Sequence, residues 1–183
     1  MTITTRLTER YGVRHPFTQA GMAFAGERPE LALAVGRGGG IGAIGVGFTP
    51  AAELREIISR MRAAGTPYDV NFITCFGNDE QVRVAAEERV PIASFHWGLP
   101  PEDQVERLRD AGTDIWVQVG SVEDGVRAVE RGANLVIAQG WEAGGHNYGG
   151  MGAMALVPAM VDAVGDRAMV LASGGIADGR GVA

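Results

Sequence analysis

The chain has 183 residues, 46% of them hydrophobic, with 16 basic against 22 acidic side chains and a formal net charge of −6. That size and apolar content predict one domain with a substantial core. Basic residues scattered on an acidic chain exclude a nucleic-acid surface and an anionic-membrane partner.

In chain order, short apolar runs at residues 17–19, 41–44, 68–73, 92–95, 114–119, 135–138 and 169–172 predict seven strands. They are continuous rather than alternating, which predicts burial on both faces and a parallel sheet. Between them, helical patterns are expected at 29–37, 50–64, 79–88, 101–111, 122–131 and 153–164. Thr49 before Pro50 predicts an N-cap with proline at the first helical position, and Ser121 predicts a second cap. Leu54, Ile57, Ile58 and Met61 fall on one helical face, and Gly65, Gly112 and Gly132 stand where helix C-caps would fall. Strands recur at a mean spacing of roughly 25 residues, the pace of βα units. A closed (β/α)8 barrel needs eight strands and usually about 250 residues, so the sequence is expected to be either a fragment of such a barrel or a shorter fold that manages its open edge by other means.

No apolar run reaches the length of a membrane span, and the first ten residues lack the apolar core of a signal peptide. A single cysteine, Cys75, excludes an intramolecular disulfide framework and suits a reducing compartment. The expected class is a soluble cytoplasmic enzyme. Without a basic neighbour, Cys75 is expected to be buried filler.

Glycine, at 28 residues, is in excess, and the surplus follows apolar runs. After the run ending at Ala138 comes Gln139-Gly140-Trp141-Glu142-Ala143-Gly144-Gly145-His146-Asn147-Tyr148-Gly149-Gly150, a strand opening into paired glycines followed at once by a histidine. Glycines let backbone N–H groups approach an anion, and a histidine beside them can face what the anion anchors. A second loop, Ser173-Gly174-Gly175-Ile176-Ala177-Asp178-Gly179, follows the next strand and reads either as a phosphate grip or as a tight turn. Gly38-Gly39-Gly40-Ile41-Gly42 fits no dinucleotide spacing and is expected to serve close helix–strand packing. In Gln19-Ala20-Gly21-Met22, Gly21 would allow flat backbone contact with a planar ring. Asn71, at a strand end, bonds either a backbone group or a ligand. His96, also at a strand end, is structural or looks into a site, and His15 is expected on the surface. No histidine, cysteine or carboxylate spacing predicts a metal site.

Together, Gln19-Ala20-Gly21-Met22, Val70-Asn71-Phe72-Ile73, Ala138 to His146, and Ser173 to Gly179 resemble, in this order, the nitronate monooxygenase family. That family was formerly called the 2-nitropropane dioxygenases and includes the related flavin-dependent enoyl-acyl-carrier-protein reductases. The resemblance implies an FMN-dependent (β/α)8 TIM barrel, with about seven of its eight βα units in this chain. Residues 1–183 would then form a single FMN-binding domain, incomplete at its C-terminal end. By the same resemblance Gly144, Gly145, Gly174 and Gly175 would bind the FMN phosphate, and Asn71 and Gln139 would meet the flavin's polar edge and ribityl chain. Backbone around Ala20, Gly21 and Met22 would lie against the ring, and His146 would be the catalytic residue. The implied reaction is oxidation of alkyl nitronates with O2 to a carbonyl compound and nitrite. The alternative is reduction of an enoyl thioester with NAD(P)H, which Gly21 favours because many of the monooxygenases carry proline there. A further alternative is an inactive fragment or assembly module, whose open sheet edge would pair with another copy as a homo-oligomer.

Overall fold

The structure is a computed structural model in which residues 3–182 are described. Six strands, β1 (Gly42–Gly45), β2 (Tyr68–Ile73), β3 (Ile92–His96), β4 (Asp114–Val119), β5 (Leu135–Gln139) and β6 (Met169–Ser173), form one sheet in chain order. The registers of β1 with β2, β4 with β5 and β5 with β6 are parallel. Helices α1 (Arg6–Tyr11), α2 (Pro29–Gly38), α3 (Ala51–Ala63), α4 (Asp79–Glu87), α5 (Glu102–Asp110), α6 (Val122–Glu130), α7 (Ala153–Val164) and α8 (Gly179–Val182) complete the βα alternation. No helix among the described residues is long and apolar enough to cross a membrane.

The expected strand at 17–19 is a correction: it is reduced to one parallel bridge, Thr18 to Ile41. The Gln19 N–H donates to Ile41 O at 2.9 Å and the Ile41 N–H to Phe17 O at 3.0 Å. The Phe17 N–H, which the preceding rung would need, turns back to His15 O at 2.8 Å, and on the other side Ala43 O accepts from the Gln19 side chain at 2.9 Å.

The chain divides into two compact units, residues 1–94 with 100–114, and residues 95–99 with 115–183. In the first unit, Ile41, Ile44, Leu54, Ile58, Met61, Phe72, Ile92 and Leu108 are fully buried. The predicted apolar face of α3 is the buried one. Gly42 answers for part of the glycine run, since a Cβ there would lie 2.2 Å from Ala32 O of α2. Helix α1 escaped sequence reading. A capping box between Thr5 and Thr8 starts it, and Arg10 Nε (2.6 Å) and Tyr11 OH (2.7 Å) donate to the Asp114 carboxylate.

In the second unit, Trp116, Leu135, Val136, Leu156 and Met160 fill the core. Gly125 of α6 lets Met160 of α7 approach, because a Cβ would meet its Sδ at 2.2 Å. Ser121 caps α6 as expected, accepting from the Asp124 N–H at 3.2 Å. Thr49 does not cap α3: Pro50 takes the N-cap position and no side chain caps that helix. Gly65, Gly112 and Gly132 lie one residue past the C-caps, each with φ between 69° and 97°.

Candidate active site

In the first unit, the loop that follows Gln19 is laid across the end of β1. Gln19 is buried, and its Nε2 donates to Ala43 O at 2.9 Å. A Cβ at Gly45 would lie 2.3 Å from Met22 O, so this glycine is what seats the loop. Gly21 lies directly on Asn71, whose Oδ1 would be 1.9 Å from a Cβ at position 21. Ala20 and Met22 are exposed.

Asn71 is buried and bonded behind. Its Nδ2 donates to Ser94 Oγ at 2.8 Å, and Ser94 Oγ donates to Asp69 Oδ2 at 2.6 Å. Asp69 is 4% exposed. Burial pushes its carboxyl up to about 7, against the hydroxyl and backbone of Ser94, which pull it down. Sequence reading missed Asp69 and Ser94, although a charged residue within the apolar run at 68–73 was a usable signal. It also missed the exposed pair Phe48 and Phe76, stacked at 5.0 Å beside the ends of β1 and β2. Cys75 is exposed rather than buried, because the chain leaves β2 in a short 3-10 turn, Thr74–Phe76.

In the second unit, β5 ends at Gln139, whose buried amide is divided between two backbone groups of the next loop. Its Nε2 donates to His146 O at 3.2 Å, and its Oε1 accepts from the Tyr148 N–H at 3.3 Å. The loop is tied again at its neck, where Asn147 Nδ2 donates to Trp141 O at 2.6 Å and the Trp141 N–H donates to Met151 O at 2.9 Å. Gly149 packs backbone to backbone on Gly120, since a Cβ there would fall 2.1 Å from Gly120 O.

His146 is held exposed on this braced loop, with its ring edge-on to Trp97 at 4.8 Å between centroids. Trp97 has φ 63°, a strained backbone for a bulky residue, and the ring of its chain neighbour His96 stands edge-on to it at 5.7 Å.

Gly174 touches the same loop: with φ 99° its Cα lies against Ala143, where a Cβ would come within 2.8 Å. Gly145 and Gly175 are also left-handed, at 79° and 76°. Around Gly144 and Gly145 a Cβ would meet nothing within 4 Å, so both backbones are open to a ligand. Glu142 accepts from the Ala153 N–H at 3.0 Å, which holds its carboxyl below the usual range and occupies the start of α7.

The nitronate monooxygenase family model matches residues 64–183, and the chain belongs to that family. The family consists of FMN-dependent oxidoreductases. Over its whole length the chain is 31% identical to a probable nitronate monooxygenase of Staphylococcus saprophyticus, covering 64% of that protein. It is 35% identical to the (3aS,4S,5R,7aS)-5-hydroxy-7a-methyl-1-oxo-octahydro-1H-indene-4-carboxyl-CoA dehydrogenase of Mycobacterium tuberculosis, covering all of this chain and 52% of that one. The solved structure of FabK from Thermotoga maritima superposes with a TM-score of 0.91 at 37% identity, over 99% of this chain and 57% of that chain. FabK is a TIM barrel, and the fold class here is the same. The chain spans between about half and two thirds of the length of these relatives.

Proposed function

We propose that residues 1–183 form the FMN-holding part of a single flavin-dependent oxidoreductase domain. The observation that carries this is the contact between the two glycine loops, Gly174 against Ala143, beside the open backbones of Gly144 and Gly145. Such a cradle fits a phosphate, which needs backbone N–H groups without side chains in the way. FMN, when bound, would supply the redox chemistry. Gly144, Gly145, Gly174 and Gly175 of the second unit would hold its phosphate, and in the first unit the Ala20–Gly21–Met22 backbone and the Asn71 amide are the groups that the family resemblance assigns to the flavin. Gln139, its amide committed to the histidine loop, positions His146. The His146 imidazole, exposed and steadied by Trp97, would hold or move a proton at the substrate.

Of the two substrate classes, an acyl thioester is the better supported, and the reading taken is reduction of its unsaturated form with NAD(P)H. The thioester-acting dehydrogenase matches all 183 residues of this chain over only 188 positions, an almost unbroken correspondence. The nitronate monooxygenase relative needs 229 positions for the same 183, so at least 46 have no counterpart here. Nitronate oxidation with O2 is the second reading, supported by the family model and that relative's name. The deciding experiment loads the chain with FMN and runs both assays. Consumption of NADPH with a crotonyl thioester supports the first reading, and O2 uptake with a nitronate but without NADPH supports the second. A chain that takes up no FMN and pairs with a second copy would instead be the assembly module.

A further inference from the structure

We propose that Asp69, acting through Ser94, is a positioning residue that fixes the Asn71 side-chain amide with its carbonyl oxygen against Gly21. Ser94 has one hydroxyl proton. With Asp69 ionised, above about pH 7, it is given to Asp69 Oδ2 at 2.6 Å, so towards Asn71 the Ser94 oxygen can only accept. The group facing it at 2.8 Å must then be the Asn71 Nδ2. A flipped amide would set two oxygens against each other with no proton between them. The carbonyl is thereby turned to Gly21, in the space a side chain at that position would take.

Two further observations bear on this. Asp69 and Asn71 stand two apart on β2, so both side chains leave the same face of the strand and reach one serine on β3. Asp69 Oδ1 is buried without a partner, and no ion pair joins the residue among the described residues. Opposite it in register β1 places the neutral Ala43, and β3 offers the neutral Ser94. A carboxylate kept this dry with no cation is costly, and a task of orientation accounts for it. The open acceptor at Asn71 selects a hydrogen-bond donor on whatever ligand lies along Gly21. If that ligand is FMN, as the proposed function holds, the donor is a flavin ring N–H or a ribityl hydroxyl.

The test follows the Asn71 side-chain amide in the 15N-labelled chain at pH 8.5, its signals identified by their loss in Asn71→Ala. Expected are Nδ2 protons exchanging at least about tenfold faster with water in Ser94→Ala and Asp69→Ala than in the parent chain, and parent-like protection in Ser94→Thr, which keeps the hydroxyl. Circular dichroism identifies any variant that fails to fold, and Ser94→Ala and Asp69→Ala each suffice alone. Protection unchanged in both would overturn the relay, whatever FMN does. A parallel fluorescence titration with FMN should show Kd raised about tenfold by Asn71→Ala, and Ser94→Ala should add less than about twofold on that background. Full additivity of the two would overturn the coupling. Released amide protons with FMN affinity untouched by Asn71→Ala would leave the relay standing and sink the flavin contact instead.

Discussion

Asp69→Asn should change the pH dependence of stability in a defined direction. The carboxyl ordinarily titrates at 3.8 and is pushed by burial up to about 7 in the folded chain. Between those values the folded state holds a proton that the unfolded state has released, so the stability contribution is fully present below about 3.8. It is lost as pH rises towards 7 and is flat above. The whole window corresponds to roughly 3 pH units, or about 4 kcal/mol. About 2 kcal/mol of that falls between pH 5.5 and 8.5, a range in which the unfolded carboxyl is always ionised. Asparagine keeps the shape and removes the titration. Urea unfolding of both proteins at the two pH values gives two stability differences, and other titrations cancel between them. The variant should gain about 2 kcal/mol relative to the parent on going from pH 5.5 to 8.5. A difference that stays constant within error would refute the assignment of a dry, unpaired carboxyl to position 69.

His146→Ala should leave FMN affinity nearly unchanged while lowering turnover by about two to four orders of magnitude. Loss of flavin with the rate kept on resupply would make His146 a binding residue. Gly145→Val should expel FMN, because a branched side chain at φ 79° both strains the loop and screens its N–H groups; equilibrium dialysis reads this directly. Gly149→Ala, whose Cβ would fall 2.1 Å from Gly120 O, should loosen the histidine loop. The expected signs are faster amide exchange at Tyr148 and a loss of about 1–3 kcal/mol in thermal unfolding, and a parent-like exchange rate would show that the backbone contact does not brace the loop.

The alternation of βα units was legible because each strand is a continuous apolar run and each helix has a periodic apolar face, both local properties. The same holds for the Ser121 cap and for the glycine loops after β5 and β6. Short-range signals failed where a competing neighbour decided the outcome. Pro50 displaced Thr49 from the cap, the Phe17 N–H given to His15 O and the Gln19 side chain on Ala43 O cut the 17–19 strand to one bridge, and the 3-10 turn after β2 exposed Cys75.

By itself, the amino-acid sequence determined the fold class, the two glycine loops that follow β5 and β6, and the histidine in the first of them, since periodicity and glycine placement are written along one stretch of chain. Only the tertiary structure decided what holds those residues in place. Asp69 and Ser94 lie 25 positions apart, Gly120 and Gly149 lie 29 apart, and Trp97 and His146 lie 49 apart. Strand neighbourhood brings the first pair together, backbone-to-backbone packing the second, and an edge-on ring contact the third. Those contacts depend on register and close approach, which no local pattern encodes.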